Sequence, residues 1–316
     1  MDKILVMKKT PLCVLVVLFF ASPIFASGKY PLAAFNSWHV GKSARSGEAG
    51  PAAPPPKEFR EPASGTEFIF VKGGCFQMGD AFGDGYDWER PAHEVCVNDF
   101  YMGKYPVTVG EFRKFTDETG YRTDAEKGGC KILNGGRFEN DGSRNWRSPG
   151  FPQDDRYPAV CISWNDASAF AGWLSKKTGK RYRLASEAEW EYAARSGGER
   201  EKWAGTSSEE RLPKFAWYNA NSGYKPHAVG EKSPNALGLY DMSGNVWEWV
   251  QDWFGENYYK VSPAKNPGGP SGGKERVLRG GSWFNGPGAA RVFERLKNTP
   301  DDRFTSYGFR CVRTGW

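Results

Sequence analysis

The sequence predicts a domain that mixes a few helices with short strands and long irregular segments, and three observations support this. Three helical stretches each begin with serine or threonine followed by an acid at the third position. Short runs of alternating apolar residues lie between positions 68 and 102. After Gly198 the regular patterns fade, and glycine, proline and asparagine bound most of the remaining segments. A chain of 316 residues is long enough for one large domain.

Each predicted helix has a recognisable start and end. The serine or threonine hydroxyl can accept a hydrogen bond from a free N–H of the first turn, and the acid three residues later can bond back to the first residue. A glycine that follows can close the helix, because it adopts the left-handed conformation without strain. The predicted helices are Thr108 to Gly120, Ser163 to Gly179, and Ser186 to Arg195 before Gly197.

The predicted strands are short. They are rich in β-branched and aromatic residues and are bounded by glycine or polar residues. The strand-like segments are Phe68–Val71, Cys75–Gly79, His93–Val97 and Phe100–Met102. After Gly198 the chain has the short segments Leu237–Tyr240, Trp247–Trp253, Val277–Arg279 and Gly308–Val312, and of these the third and fourth have a strand pattern.

The N-terminus predicts export. Three lysines precede the apolar run Leu12–Phe20, small residues follow, and a cleavage site is predicted after Ala26. The run is shorter than the ~20 residues that a membrane-spanning helix needs, so no span is expected after cleavage. Residues 1–26 are therefore interpreted as a signal peptide, cleaved or retained, and 27–65 as a linker rich in proline, alanine and glycine. Residues 66–316 are interpreted as a folded domain in the periplasm or outside a bacterial cell.

The charged residues argue against two classes of function. The net charge is +6, but the two signs alternate along the chain and form no lysine- or arginine-rich block, which argues against nucleic-acid binding. The three histidines, His39, His93 and His227, are scattered, and no C-x-x-C motif is present. A histidine-based metal centre is therefore not expected.

A glycine-containing loop near Asp241 is a candidate calcium site. Asp241 and Glu248 offer carboxylate oxygens, and Gly244 lets the backbone turn so that its carbonyls can point inward. Carboxylates together with backbone carbonyls are the ligands that calcium prefers. The same residues also fit ordinary turn and capping hydrogen bonds, so both interpretations stay open at this point.

The segment Arg276–Arg310 contains neither cysteine nor histidine. Within it, a strand-like run leads through Gly280 and Gly281 to Ser282. A serine acts as a nucleophile only when a base activates it, and neither a G-x-S-x-G motif nor a neighbouring histidine accompanies this one. Ser282 is therefore interpreted as a hydrogen-bonding residue.

Eight blocks of the sequence carry a family resemblance. In order, they are Gly73–Gly79, Lys104–Thr108, Val160–Ala167, Arg183–Tyr192, Asn235–Asp241, Gly244–Trp249, Arg279–Trp283 and Gly308–Cys311. Together they resemble the formylglycine-generating enzymes, or sulfatase-modifying factors, over residues 66–313. The resemblance implies an α+β fold, the formylglycine-generating-enzyme variant of the C-type-lectin-like fold. This fold has short twisted sheets, few helices and much irregular backbone.

The resemblance also implies bound calcium. The family's ligand pattern carries over onto two side chains and two backbone positions: Asp241, Gly244, Val246 and Glu248. A second family site is matched less well, because an asparagine stands where the family has an acid. Its positions here are Asn219, Asn221 and Gly223.

The family's oxidase chemistry requires two cysteines that hold copper(I), while oxygen converts a substrate cysteine to formylglycine. Thiolates are the ligands that a soft cuprous ion needs. Here Asn285 occupies the first cysteine position, and the second falls in a shortened stretch without cysteine. The chain therefore resembles a member that lacks the catalytic cysteine pair, and copper is not expected. Ser282, Trp283 and Asn285 are candidates for lining a groove, with no catalytic residue assigned.

Five cysteines follow the signal peptide, so at least one thiol stays unpaired within the chain. Cys75 and Cys96 lie on consecutive strand-like segments and are expected to pair. Cys130 is then expected to pair with Cys161, which leaves Cys311 free on a buried strand.

Three functions compete. The leading hypothesis is an exported family member that makes no formylglycine and binds a peptide, protein or small molecule in its C-terminal groove. The second is an oxidoreductase or maturation enzyme whose chemistry does not use two cysteines, with Glu294, Asp301 or Asp302 as acid or base. A buried carboxylate in the groove would favour it. The third is a diversified lectin-like recognition protein.

Overall fold

The computed structural model describes residues 56–315. The predicted signal peptide and most of the predicted linker lie outside the described residues. The helices are α1 (Val109–Thr119), α2 (Asp124–Gly128), α3 (Trp164–Thr178) and α4 (Glu187–Ala194). The strands are β1 (Glu58–Arg60), β2 (Glu67–Val71), β3 (Gly74–Met78), β4 (His93–Val97), β5 (Phe100–Gly103), β6 (Cys130–Asn134), β7 (Arg137–Asp141), β8 (Arg181–Leu184), β9 (Trp247–Trp253), β10 (Arg276–Arg279), β11 (Leu296–Asn298), β12 (Tyr307–Phe309) and β13 (Cys311–Thr314).

The strands form two larger sheets and two hairpins. The first sheet has the order β1-β2-β5-β13-β8, and each described pairing in it is antiparallel. The second has the order β11-β10-β9-β12, in which β9 and β12 run parallel. The hairpins are β3–β4 and β6–β7. Because β13 lies between β5 and β8, the C-terminal end of the chain completes a sheet begun near the N-terminus.

The folded part begins before the predicted boundary at residue 66. Strand β1 pairs with β2, and the ring of Phe59 stacks on that of Phe68 with 5.1 Å between centroids. The apolar ring of Phe59 explains the difference, because it gives this end of the predicted linker a packing partner. Among the described residues, no helix is both long and apolar enough to cross a membrane.

The three predicted helices begin at the predicted caps. The side chains of Thr108, Ser163 and Ser186 each accept a hydrogen bond from the N–H three residues later, and the acid at that position bonds back. Gly120 and Gly179 close α1 and α3 in the left-handed conformation. Helix α4 differs from the others because all eight of its residues are buried, including three glutamates.

One strand prediction along the chain was wrong, and several elements were missed. Leu237–Tyr240 is a turn held by Asn235, whose N–H donates to the Leu239 carbonyl. The predicted strand Gly308–Val312 is two strands, β12 and β13, which belong to different sheets. The chain crosses between the sheets at Arg310, whose buried side chain bonds Glu248. Helix α2, the β6–β7 hairpin and the strands β1, β8 and β11 were not predicted.

Candidate functional site

Ser282 and Asn285 hold each other in the turn that follows β10. Gly280 and Gly281 precede them with positive φ angles, and a Cβ on Gly281 would lie 2.6 Å from the Ala289 carbonyl oxygen. The Ser282 hydroxyl donates to Asn285 Oδ1 at 2.6 Å, and Trp247 Nε1 donates to the same oxygen at 2.9 Å. Ser282 is fully buried. The arrangement therefore fixes this turn and leaves the hydroxyl engaged as a donor.

Trp283 packs into the protein, and its neighbour Phe284 lines the surface. The Trp283 indole N–H donates to the Thr305 carbonyl at 3.2 Å, and the Trp283 carbonyl accepts from Ser222 Oγ at 2.6 Å. Only 5% of Trp283 is exposed, and its ring meets that of Phe284 edge to face at 5.1 Å. Trp283 therefore lies beneath Phe284 and supports it. Ser282, Trp283 and Asn285 were predicted to line a groove, but none of the three is a lining residue of the adjacent cleft.

A cleft of about 400 Å³ lies directly beside this turn. Its walls come from the β6–β7 hairpin, from Phe284, from β11, and from the segment that leads into β12. The lining residues are Lys131, Phe138, Glu139, Asn140, Phe284, Leu296, Asn298, Asp302, Phe304 and Tyr307. Clefts of this size with mostly apolar walls and a few polar groups are typical of ligand sites.

Aromatic rings dominate the cleft. The Phe138 ring lies 5.2 Å from that of Phe304 and 5.9 Å from that of Phe284, and Phe304 contacts Tyr307 at 5.6 Å. Phe138 is 62% exposed although it belongs to this cluster. An aromatic side chain that is left open in a concave, ring-lined surface offers contact area to a ligand.

The polar groups of the cleft already have partners. Lys131 Nζ lies 2.9 Å from Asp302 Oδ2, and the Asp302 side chain is buried. Asn298 Nδ2 donates to the Tyr307 hydroxyl at 2.9 Å. Burial, reinforced by the charge of Asp302, raises the pKa of Tyr307 above its ordinary value, so the phenol stays protonated near neutral pH. One buried carboxylate, that of Asp302, therefore faces the cleft.

The candidate calcium loop lies in a strained turn before β9. Asp241, Gly244 and Asn245 all have positive φ angles. Asp241 Oδ2 accepts from the Gly230 N–H at 2.9 Å, and Oδ1 lies 3.4 Å from Asn245 Nδ2. Burial raises the pKa of Asp241 to about 6, against the opposing effect of these hydrogen bonds. Its carboxylate is buried without a directly bonded cation among the described residues.

Glu248, the second carboxylate of this loop, is bound to Arg310. Arg310 Nε and Nη2 each lie 2.7 Å from a Glu248 oxygen, and Trp190 Nε1 donates to Glu248 Oε2 at 2.8 Å. The donor atoms are all oxygens, with two carboxylates, which is the ligand chemistry that a hard cation such as calcium prefers. The charge of Glu248 is already balanced, which makes Asp241 the carboxylate with most to gain from a cation.

Comparison with known proteins identifies the family of the chain. The model of the sulfatase-modifying factor enzyme 1-like domain matches residues 54–315. The chain belongs to this family. The resemblance predicted from the eight sequence blocks is thereby confirmed.

Relatives in the family include active and inactive proteins by name. The chain is 37% identical over 311 residues to a formylglycine-generating enzyme of Streptomyces coelicolor, across 85% of this chain and 94% of that enzyme. It is 34% identical over 290 residues to an inactive C-alpha-formylglycine-generating enzyme 2 of Bos taurus, across 78% and 88%. The solved structure of PvdO from Pseudomonas aeruginosa superposes with a TM-score of 0.69 at 33% identity, across 84% and 100%. The α+β lectin-like fold class is confirmed with the family.

The remaining predicted site residues lie apart from the cleft. Asn221 accepts from the Tyr218 N–H at 2.9 Å and donates to the Ala216 carbonyl at 2.9 Å, so its amide closes its own turn. Asn219 and Gly223 beside it are exposed. Within residues 56–315, no group of three or more His, Cys, Asp or Glu side chains is placed to hold a metal ion.

The structure contains disulfides between Cys75 and Cys96 and between Cys130 and Cys161, with Cys311 free and buried. Burial raises the pKa of the Cys311 thiol, so it stays protonated near neutral pH. Because Cys130 begins β6, the second disulfide anchors the hairpin that forms one wall of the cleft.

Of the three predicted acids, one reaches the cleft. Glu294 is buried elsewhere, against Arg291, and Asp301 is exposed. Asp302 lines the cleft beside Lys131. Sequence reasoning missed Phe138, Phe284, Phe304 and Tyr307 as site residues. The turn Asn134-Gly135-Gly136 was the available signal for their hairpin wall, because an asparagine followed by glycine favours a tight hairpin turn.

Proposed function

We propose that this chain is an exported member of the family that binds a peptide, protein or small-molecule ligand in the aromatic cleft and does not make formylglycine. One observation carries the proposal. The turn that the family resemblance matches to the copper-binding cysteines of the oxidases contains Ser282, Trp283 and Asn285, and it borders an open, ring-lined cleft. An amide and a hydroxyl are poor ligands for copper(I), whereas exposed rings favour binding.

Mass spectrometry of a cysteine-containing sulfatase peptide tests the proposal. The purified protein is incubated with the peptide, copper(I) and oxygen, and the Streptomyces coelicolor enzyme serves as a positive control. We expect unchanged cysteine with this chain and formylglycine with the control. Formylglycine formation by this chain would overturn the proposal.

A second candidate function rests on Asp302. Its carboxylate is buried and faces the cleft, with Lys131 at 2.9 Å, so an acid–base pair is available to a bound substrate. An Asp302→Asn variant distinguishes the two functions once a ligand is known. If the chain is an enzyme, the variant loses turnover by tenfold or more and keeps most of its ligand affinity. If it is a binder, the ligand is recovered unchanged from both proteins.

We also propose a structural calcium ion at Asp241 and Glu248, with backbone carbonyls of Gly244 and Val246. The ion would neutralise the buried carboxylate of Asp241 and stiffen the turn before β9. Metal analysis of the purified protein, followed by thermal unfolding with and without chelator, tests this. We expect one calcium per chain and a lower Tm in chelator, and we expect an Asp241→Asn variant to lose both effects. A Tm that is unchanged by chelator in a metal-free protein would contradict the site.

Export is proposed from the N-terminal segment and from the two disulfides, which persist in oxidising compartments. Fractionation of expressing bacteria, with thiol labelling, tests this. We expect one reactive thiol per unfolded chain in the periplasm or medium. Recovery in the cytoplasm with six reactive thiols, Cys13 included, would contradict it.

A further inference from the structure

A strand with a free edge borders the aromatic cleft, and this juxtaposition identifies a class of ligand. Building on the proposed function, we propose that the cleft binds an extended peptide segment. The segment pairs with the free edge of β7 and places an aromatic side chain beside Phe138, at the margin of the ring cluster that Phe138 forms with Phe284 and Phe304.

The direction of the backbone groups supports strand pairing. Lys131 on β6 lies opposite Asn140 on β7. The Lys131 N–H donates to the Arg303 carbonyl and its carbonyl accepts from the Thr305 N–H, both at 3.0 Å, so its backbone groups point away from β7. In an antiparallel pair, the residue opposite such a position also points its groups outward. Asn140, and by alternation Phe138, therefore present N–H and C=O groups at the edge of β7 opposite to β6.

That edge carries no strand within residues 56–315, because β7 pairs there with β6 alone. Unpaired N–H and C=O groups on an edge strand are a template for an added strand. Several protein–peptide complexes bind by this mode, in which backbone pairing supplies affinity and side-chain pockets supply specificity. The edge of β7 thus provides the first half of a peptide site.

The cleft provides the second half. Residues that face each other across paired strands place their side chains on the same side of the sheet. A peptide residue opposite Phe138 therefore directs its side chain to the cleft side of β7, where Phe138 is 62% exposed. Phe304 and Phe284 lie 5.2 Å and 5.9 Å from Phe138, centroid to centroid, in edge-to-face arrangements that another ring can extend.

The charges of the cleft favour an uncharged ring over an ionised side chain. Lys131 and Asp302 pair with each other, and Glu139 accepts from Asn134 Nδ2 at 2.6 Å. A charged ligand side chain would have to separate one of these partners or enter without one, which is costly away from water. A neutral aromatic side chain loses only water when it enters.

Short peptides test the proposal on the full mature protein. The probe is a threonine-rich hexapeptide, acetylated and amidated, with one central phenylalanine. Its controls replace the phenylalanine with alanine or methylate the nitrogens of alternate residues, which blocks strand pairing. We expect the alanine control to bind about tenfold more weakly by calorimetry, in line with the worth of one aromatic contact. The methylated control should bind at least as weakly, because it loses backbone hydrogen bonds to β7.

Variants of β7 distinguish the contribution of the Phe138 ring to peptide affinity from that of the strand backbone. Phe138→Ala is expected to weaken binding of the phenylalanine peptide about tenfold, and Tyr224→Ala, which truncates another exposed ring, is expected to change nothing. Asn140→Pro removes the outward N–H, whereas Asn140→Ala keeps it. Since that N–H does not pair with β6, both variants should fold, which circular dichroism checks, and only the proline variant should lose peptide affinity.

The outcomes also separate this proposal from the one on which it rests. Equal binding of the phenylalanine and alanine peptides, or equal affinity of the Asn140→Pro and Asn140→Ala variants, would overturn the peptide proposal. If some other ligand then binds in a manner that Phe284→Ala abolishes, the cleft is still a binding site and only the ligand class was wrong. If no peptide or small molecule binds with sensitivity to Phe284→Ala, both proposals fail.

Discussion

Two regions of the protein differ in which groups they bury. One is the surroundings of helix α4, and the other is the cleft beside the β6–β7 hairpin. Beside α4, Arg279 bonds Glu187 at 3.1 Å and Glu191 at 2.6 Å, Arg295 bonds Glu187 at 2.6 Å, and Arg195 bonds Glu191 at 2.9 Å. All five charged residues are buried. At the cleft, Lys131 and Glu139 are exposed, Asp302 is the buried charged residue, and the Phe138 ring is mostly exposed. The protein thus buries a network of ions beside α4 and exposes an aromatic ring at the cleft.

The difference indicates which region stabilises the fold and which one is available for binding. Burying an ion costs several kcal/mol unless partners surround it. Burial opposes ionisation of Glu187, but the charges of Arg295 and Arg279 outweigh it and lower the pKa of Glu187. Removing one residue of this buried ion network should therefore lower the free energy of unfolding strongly. An exposed ring in the cleft contributes little to stability, which agrees with the binding role that we propose for it.

Arg279→Ala is expected to have the largest effect. Glu187 and Glu191 would each lose a cation while they stay buried, which typically costs about 3–5 kcal/mol. Urea unfolding measures the loss in the free energy of unfolding. The matched control is Lys297→Ala on the neighbouring strand β11, whose contact with Glu275 is on the surface and should be worth about 0–1 kcal/mol. A loss below about 1 kcal/mol for Arg279→Ala would show that the buried network contributes little.

Removing the Cys130–Cys161 disulfide should have the next largest effect and should connect stability with binding. The double variant with alanine at both positions is expected to lose about 2–4 kcal/mol. Because Cys130 anchors β6, it should also weaken ligand binding in the cleft. The corresponding Cys75 and Cys96 double variant should lose similar stability and keep its ligand affinity, because that bond joins β3 to β4. Equal loss of ligand affinity in the two double variants would contradict a specific role of the Cys130–Cys161 bond at the cleft.

The charged region should also make stability depend on pH. Burial, together with the nearby charge of Glu187, raises the pKa of Asp252 to about 8 from an ordinary value of 3.8. Between these values the folded chain keeps a proton that the unfolded chain releases, so the free energy of unfolding decreases as the pH rises through this window. We expect a lower Tm at about pH 8 than at about pH 5. Asp252→Asn, which cannot ionise, should reduce the difference, and an unchanged difference would contradict the role of Asp252.

Phe138→Ala should have the smallest effect on stability. Substitutions at exposed positions usually stay within about 0.5 kcal/mol, whereas Phe293→Ala, at a fully buried ring, should cost about 3–5 kcal/mol. Thermal unfolding of both variants checks the contrast. A loss above about 2 kcal/mol for Phe138→Ala would mean that its ring supports the fold, and the comparison between the two regions would not hold.

Local signals in the sequence predicted the elements that depend on local chemistry. The caps Thr108, Ser163 and Ser186 marked the starts of α1, α3 and α4, because a cap and its acid lie within one helical turn. The run Gly308–Val312 looked like one strand because its apolar character is continuous. Only the surrounding sheets show that the chain changes partner at Arg310.

By itself, the sequence determined the family, the helix starts and the absence of cysteine and histidine from Arg276–Arg310. The tertiary structure alone decided that Asp302 faces a cleft beside Lys131, a residue 171 positions away, and that Glu248 is bound by Arg310. The physical reason is the separation along the chain of the residues that interact. Capping and hydrophobic alternation act between near neighbours, whereas a cleft or a buried ion pair forms only when packing brings distant segments together.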